Sequence, residues 1–169
     1  MNKQITGFLI ATLAAFCIIF PTYHLILLSP NSYVFNDGGD AIKNYYTYAY
    51  HILHDHSTWQ FAGMNYPFGD FIGYADAQPA LSIFLQWLNS IYPTIGTHAV
   101  GILNLLMILS IPVAAGFVYL ILLKLRLPKW YAILFSIPIA LLSPQVARLA
   151  GHYGMAYSCT FPILIWITW

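Results

Sequence analysis

Glutamate is absent from this 169-residue chain, and only 7% of its residues are charged. Soluble domains carry charge at roughly a quarter of their positions. Scarcity on this scale, with 60% apolar residues and a mean hydropathy of +0.70, excludes an ordinary water-soluble fold. A net charge of +1 provides no basic excess for a phosphate backbone, so nucleic acid is excluded as a partner. Two cysteines cannot build a disulfide scaffold; Cys17 and Cys159 sit in apolar runs, where thiols fill space. No Walker loop, dinucleotide glycine fingerprint or GxSxG elbow occurs, which leaves soluble-nucleotide chemistry without a motif. What remains is a membrane protein. Its 13 tyrosines point to structure at the bilayer surface, where rings with polar tips gather.

The few charges are unevenly placed. All five acids (Asp37, Asp40, Asp55, Asp70 and Asp76) fall in one polar island, which also holds Lys43. The other cations are Lys3 at the start, Lys124, Arg126 and Lys129 close together, and Arg148 alone.

Hydrophobic runs set the expected spans at 5–28, 98–123, 130–147 and 156–169, around an external loop of 29–97. The first run is 24 residues, about 36 Å as helix, which exceeds a roughly 30 Å hydrocarbon core and the about 7–15 residues of a signal-peptide core. Pro138 is placed to kink the third span. The fourth has only 13 residues from Tyr157 to Trp169 and no flank, so the chain reads as the first part of a longer protein. The expected fold class is all-α, a polytopic helical membrane protein whose large first extracytoplasmic loop carries interfacial helices.

Two such helices are expected in the loop. Over Asp40 to His54, Ile42, Tyr45, Tyr46, Ala49, Ile52 and Leu53 follow helical spacing, with Lys43, Asn44, Thr47, His51 and Asp55 opposite and Asp40 able to cap the first turn. Ala80 to Tyr92 is too short to span. Pro79 suits its first turn, Gln86 and Asn89 give it a polar side, and Trp87 and Tyr92 anchor it at the interface. Treating it as interfacial places Lys124, Arg126 and Lys129 with Lys3, as the excess of cations on inner loops requires. The amino terminus is then cytoplasmic, and the acidic loop shares the outer side with the turn around Arg148.

Carboxylates beside a membrane are costly to desolvate, so their gathering in this loop calls for a chemical reason. In Asp37-Gly38-Gly39-Asp40 the glycines let the backbone bend so that an acid can point back at the bilayer edge. Such an acid could deprotonate an acceptor hydroxyl or share a divalent cation with a phosphate; a turn and a helix cap is the structural alternative. Arg148 offers paired donors to phosphate oxygens, and His152 adds a hydrogen bond or a proton, with Gly151 and Gly154 allowing close approach. The plain alternative is that Arg148 snorkels to headgroups and His152 caps a helix. His51, His54, Asp55 and His56 have spacings a zinc ion can use, but a solvated helix end is the ordinary outcome there. Tyr45, Tyr46, Tyr48, Tyr50, Tyr66 and Tyr74 could stack on a sugar or isoprenyl chain, against the commoner role of interface packing.

The order of elements resembles the GT-C superfamily: an outward first span, an early loop acid, surface helices, and Asp76-Ala77-Gln78-Pro79-Ala80-Leu81 entering an apolar helix. These are integral-membrane glycosyltransferases that use polyprenyl-phosphate-linked sugars. Asp40 matches their early acid, and Gln78-Pro79-Ala80-Leu81 resembles their Pro-Pro-Leu helix opening with Ala80 in place of the second proline. The spaced Asp-Gly-Gly-Asp departs from their adjacent acids and leaves the catalytic place open between Asp37 and Asp40. The resemblance implies an inverting hexosyl or pentosyl transfer at the outer face of a bacterial inner membrane. Asp40, Asp37 and Asp76 are then the catalytic candidates in that order, Arg148 and His152 bind donor phosphate, and Asp40 is the candidate ligand of a magnesium or manganese ion. The implied partners are the lipid bilayer and the lipid-linked sugar. The rival is a non-enzymatic multi-span protein, a transporter or an envelope-assembly scaffold; transporters place ionisable residues within their spans, and here those interiors hold almost none.

Overall fold

The computed structural model describes residues 3–169. In chain order the elements are α1 (Lys3–Leu28), α2 (Gly39–Leu53), β1 (Gln60–Phe61), β2 (Asp70–Phe71), α3 (Pro79–Ile91), α4 (Ala99–Lys124), α5 (Lys129–Leu141), α6 (Pro144–Ala147) and α7 (Thr160–Thr168). They fall into two compact units. A span unit comprises α1, Leu105–Arg148 and Met155–Trp169; a loop unit comprises Ser29–Asn104 and Leu149–Gly154.

Three helical stretches are long and apolar enough to cross a bilayer: Gln4–Leu28, Gly96–Lys124 and Lys129–Ala150. They coincide with the first three expected spans, and the chain is a membrane-associated protein. The third is interrupted. Ser143 is extended because a residue preceding proline is driven out of the helical region, so α5 stops at Leu141 and the helix restarts with Pro144 in the first turn of α6. The fourth expected span differs: its helix begins at Thr160 and covers nine residues, after a turn in which the Ser158 backbone N–H donates to Ser110 Oγ at 3.0 Å.

Inside the span unit small residues bring the helices close, beside larger buried side chains such as Met107, Ile108 and Ile111. Ala15, Ala114, Ala115 and Ala140 form one buried cluster, and Ala11 and Ala132 surround the buried Tyr119. A Cβ at Gly116 would stand 2.5 Å from Phe8 and Thr12, so only glycine allows this approach. Leu9, Leu13, Ile18, Leu134 and Ile139 point outward, the arrangement expected where acyl chains replace water. Cys159 packs against the alanine cluster as a filler, but Cys17 is exposed, contrary to expectation. The Lys3 side chain, counted among the inner cations, lies outside the described residues.

The loop unit departs from expectation in three ways. First, α2 forms where its pattern predicts, but Gly38 is its N-cap, and the Gly38 N–H donates to Asn36 Oδ1 at 3.3 Å. Asp40 lies inside the first turn, where it faces the positive end of the helix without capping it. Second, the buried side is rotated from the expected apolar stripe, keeping Tyr45 and Ile52 of that stripe and adding polar residues expected to face water. Asn44, Thr47 and His51 are buried with Tyr45, Tyr48 and Ile52, while Ile42, Tyr46 and Leu53 are exposed. On α3 likewise, Gln86 and Asn89 turn inward, and Phe84, Trp87 and Ile91 turn out. The Gln86 amide donates to the carbonyls of His51 (3.2 Å) and Asp55 (2.9 Å), and Asn89 to that of Ile52 (3.4 Å). Helical periodicity identifies two faces; it does not say which is inside when the surroundings are apolar. Third, the loop of this mostly helical fold also carries a short hairpin: β1 and β2 pair antiparallel, Gln60 with Phe71 and Phe61 with Asp70. Gly69 (φ +69°) closes this hairpin where a Cβ would come within 3.0 Å of the Phe61 carbonyl oxygen. Its inner side, Phe61, Ile72, Ala75 and Ala77, packs with Tyr50 of α2 and Ile83 of α3.

Candidate functional site

Lys43 near the start of α2 meets Asp76 just before α3, and Asn89 near the end of α3 meets Ile52 near the end of α2. The two helices therefore lie with like ends together. The turn 149–154 docks on that pair of starting ends. Asn36 Nδ2 donates to the Ala150 carbonyl at 3.0 Å, and Asn44 Nδ2 to that of Gly151 at 2.5 Å. The Tyr153 ring packs edge-on against Phe35 and Tyr45. A Cβ at Gly151 would lie 3.7 Å from Asp40 Cβ, and one at Gly154 3.6 Å from Gln78 Nε2, so the turn touches the start of each helix.

These contacts bring Asp40 together with the turn that carries His152; both side chains are exposed. Lys43 lies three residues beyond Asp40 and so on the same side of α2. Its Nζ reaches Asp76 Oδ2 at 3.0 Å in a largely solvated pair, which ties the third candidate acid to that side. Asp37 is exposed in the same bend, with Gly39 at φ +50° between it and Asp40. Arg148 is exposed, belongs to the span unit, and immediately precedes the docked turn in sequence.

The segment leading to Asp37 is fixed by a buried asparagine. Asn104 is fully buried; its Nδ2 donates to the Pro30 and Tyr33 carbonyls, each at 2.8 Å, and its Oδ1 accepts from Tyr45 Oη at 2.5 Å. Tyr45 Oη accepts in turn from the Phe35 N–H at 3.3 Å. Burial raises the Tyr45 and Tyr153 phenols above the ordinary tyrosine range, so both stay neutral at physiological pH. The bend is thus held by neutral hydrogen bonds, and among the described residues its exposed charges make one ion pair, Lys43–Asp76.

The histidine cluster resolves differently from a solvated helix end. His51 is fully buried, and its Nδ1 pairs with Asp55 Oδ2 at 3.0 Å; the Asp55 side chain is itself 3% exposed. Asp55 Oδ1 accepts from the Ala62 N–H at 3.0 Å, which joins the end of α2 to the hairpin. His54 and His56 remain exposed. Among the described residues no three histidine, cysteine or acidic side chains are grouped to hold a metal ion, at Asp40 or at this cluster.

A family model described as a domain of unknown function, DUF6311, matches residues 9–168. The chain belongs to the DUF6311 family. No curated protein and no solved structure matches it. The family match takes in every candidate residue from Asp37 to His152, in both units of this DUF6311 chain. Sequence reasoning passed over Lys43 as a candidate residue of this bend. The signal for Lys43 was present: it is the one Lys or Arg in the acidic island, at helical spacing from Asp40.

Proposed function

We propose that this DUF6311 chain is part of a membrane glycosyltransferase that moves a sugar from a lipid-phosphate-linked donor to an acceptor at the extracytoplasmic face. The observation that carries the reading is the docking of the 149–154 turn against the bend bearing Asp40, a contact across more than a hundred residues held by Asn36 and Asn44. Such a corner unites an acid that can take a proton from an acceptor hydroxyl with groups that can receive a phosphate. Asp40 is the base, because Asp76 is engaged by Lys43; Asp37 stands next to it in rank. Within the loop unit phosphate would be met by His152 and by Lys43. The amino-terminal ends of α2 and α3 add their positive dipole ends. The outer location of the loop follows from grouping Lys124, Arg126 and Lys129 on the inner side.

The test is transfer from polyprenyl-phosphate-linked hexoses by the full-length protein in membranes. Asp40→Asn is expected to lower turnover by about 100-fold or more, as for loss of a general base. Full retention of transfer by Asp40→Asn removes the assignment. Labelling of substituted cysteines at Asn65 and Gly151 from opposite sides of intact cells removes the whole corner.

A further inference from the structure

The hairpin holds a second site that the transfer corner does not use. Ser57, Trp59, Gln60, Phe68, Gly69, Asp70 and Phe71 line an open cleft of about 540 Å³. Its apolar surface is aromatic: the Trp59 and Phe71 rings lie parallel, 6° between planes with centroids 6.2 Å apart, and Phe68 is 84% exposed at the edge. Polar groups ring that surface. Asp70 Oδ1 accepts from the Phe71 N–H at 2.8 Å and Oδ2 from Asn65 Nδ2 at 3.0 Å, which fixes the carboxylate and leaves lone pairs on both oxygens. Among the described residues the Gln60 amide and Ser57 hydroxyl are bonded to no other side chain or backbone group, so both can serve a ligand.

Flat rings beside a fixed carboxylate, a free amide and a hydroxyl match one ligand chemistry. A pyranose presents an apolar C–H face to an aromatic ring and hydroxyls around its rim to planar polar groups. We infer that this cleft binds a neutral carbohydrate, one or more hexopyranose units of a glycan. The inference rests on the transferase reading only for why a glycan is met at this loop. A lipid surface fits the cleft less well. No lysine, arginine or histidine occurs from Ser57 to Asp76 to meet anionic headgroups, and insertion would desolvate Asp70, Gln60 and Ser57.

The test uses the full chain in lipid nanodiscs without donor, with chitotriose, maltotriose and mannotriose as probes. Saturation-transfer NMR is expected to detect binding of at least one probe. Trp59→Ala should weaken it about tenfold and Gln60→Ala about fivefold, while Trp59→Phe should retain most of it. Hydroxyl-radical footprinting should oxidise Trp59 and Phe68 in sugar-free nanodiscs and find both protected by the bound probe. Binding by none of the three sugars, or equal binding by Trp59→Ala, overturns the inference. Shielding of Trp59 and Phe68 by the bilayer alone makes the hairpin a lipid anchor instead and also overturns it. Absence of sugar binding with transfer intact removes this site alone, whereas sugar binding without any transfer removes the transferase reading alone.

Discussion

The span unit and the loop unit both turn large apolar side chains outward, and they differ in what they put inside. In the span unit the interior combines alanine and glycine contacts with larger apolar side chains such as Met107, Ile108 and Ile111, so cohesion comes from close approach of helices and apolar packing, with few side-chain hydrogen bonds between them. In the loop unit it is Asn44, Thr47, His51 and Asn104 among tyrosine rings, so cohesion comes from buried polar contacts. A shape fault should therefore damage the first unit most, and a missing hydrogen-bond partner the second.

The largest effect is expected from Asp55→Ala. It strips the buried His51 of its partner and the Ala62 N–H of its acceptor, and should cost about 3–5 kcal/mol. Thermal unfolding in detergent measures the loss, and hydrogen exchange should localise it to 40–98 with 105–140 still protected. Next comes Asn104→Leu, which leaves two carbonyls and the Tyr45 hydroxyl without their partner and should cost about 2–3 kcal/mol, with exchange rising in 30–36. The converse perturbation is Gly116→Val, whose Cβ collides with Phe8 and Thr12. It should cost about 1–3 kcal/mol, and its exchange should rise in α1 and α4 with the His51 region unchanged. Smallest is Lys43→Ala: the solvated pair with Asp76 contributes less than about 1 kcal/mol, so the melting temperature should hardly move. The same variant should raise KM for a lipid-phosphate donor several-fold if Lys43 meets phosphate. Equal exchange changes in both units for either of the first two variants would erase the contrast between them.

Much of this architecture was readable from the residues. The first three spans needed only length and hydropathy, and Pro79 marked the start of α3. What misled was the assumption that polar faces meet water. Gln86 and Asn89 do define one side of α3, but that side serves α2, where their amides find buried carbonyls to bond. The spacing of His51 and Asp55 was equally visible, and burial turned it from a solvated helix end into a pair. The two-residue strands were not legible, since no period can be read over so short a run. The docking of the 149–154 turn left no trace either. Asn36 and Asn44 grip backbone carbonyls, which every residue possesses, so nothing in the side chains of Ala150 and Gly151 announces the contact.

The last turn of α2 ends in carbonyls that would ordinarily look to water, and here two amides of α3 cover them. Fraying, which in most helices starts at such an end and proceeds residue by residue, is thereby tied to the departure of a neighbouring helix. Opening of α2 from its carboxyl end and detachment of α3 become one event, and slow amide exchange across both helices should share a single rate.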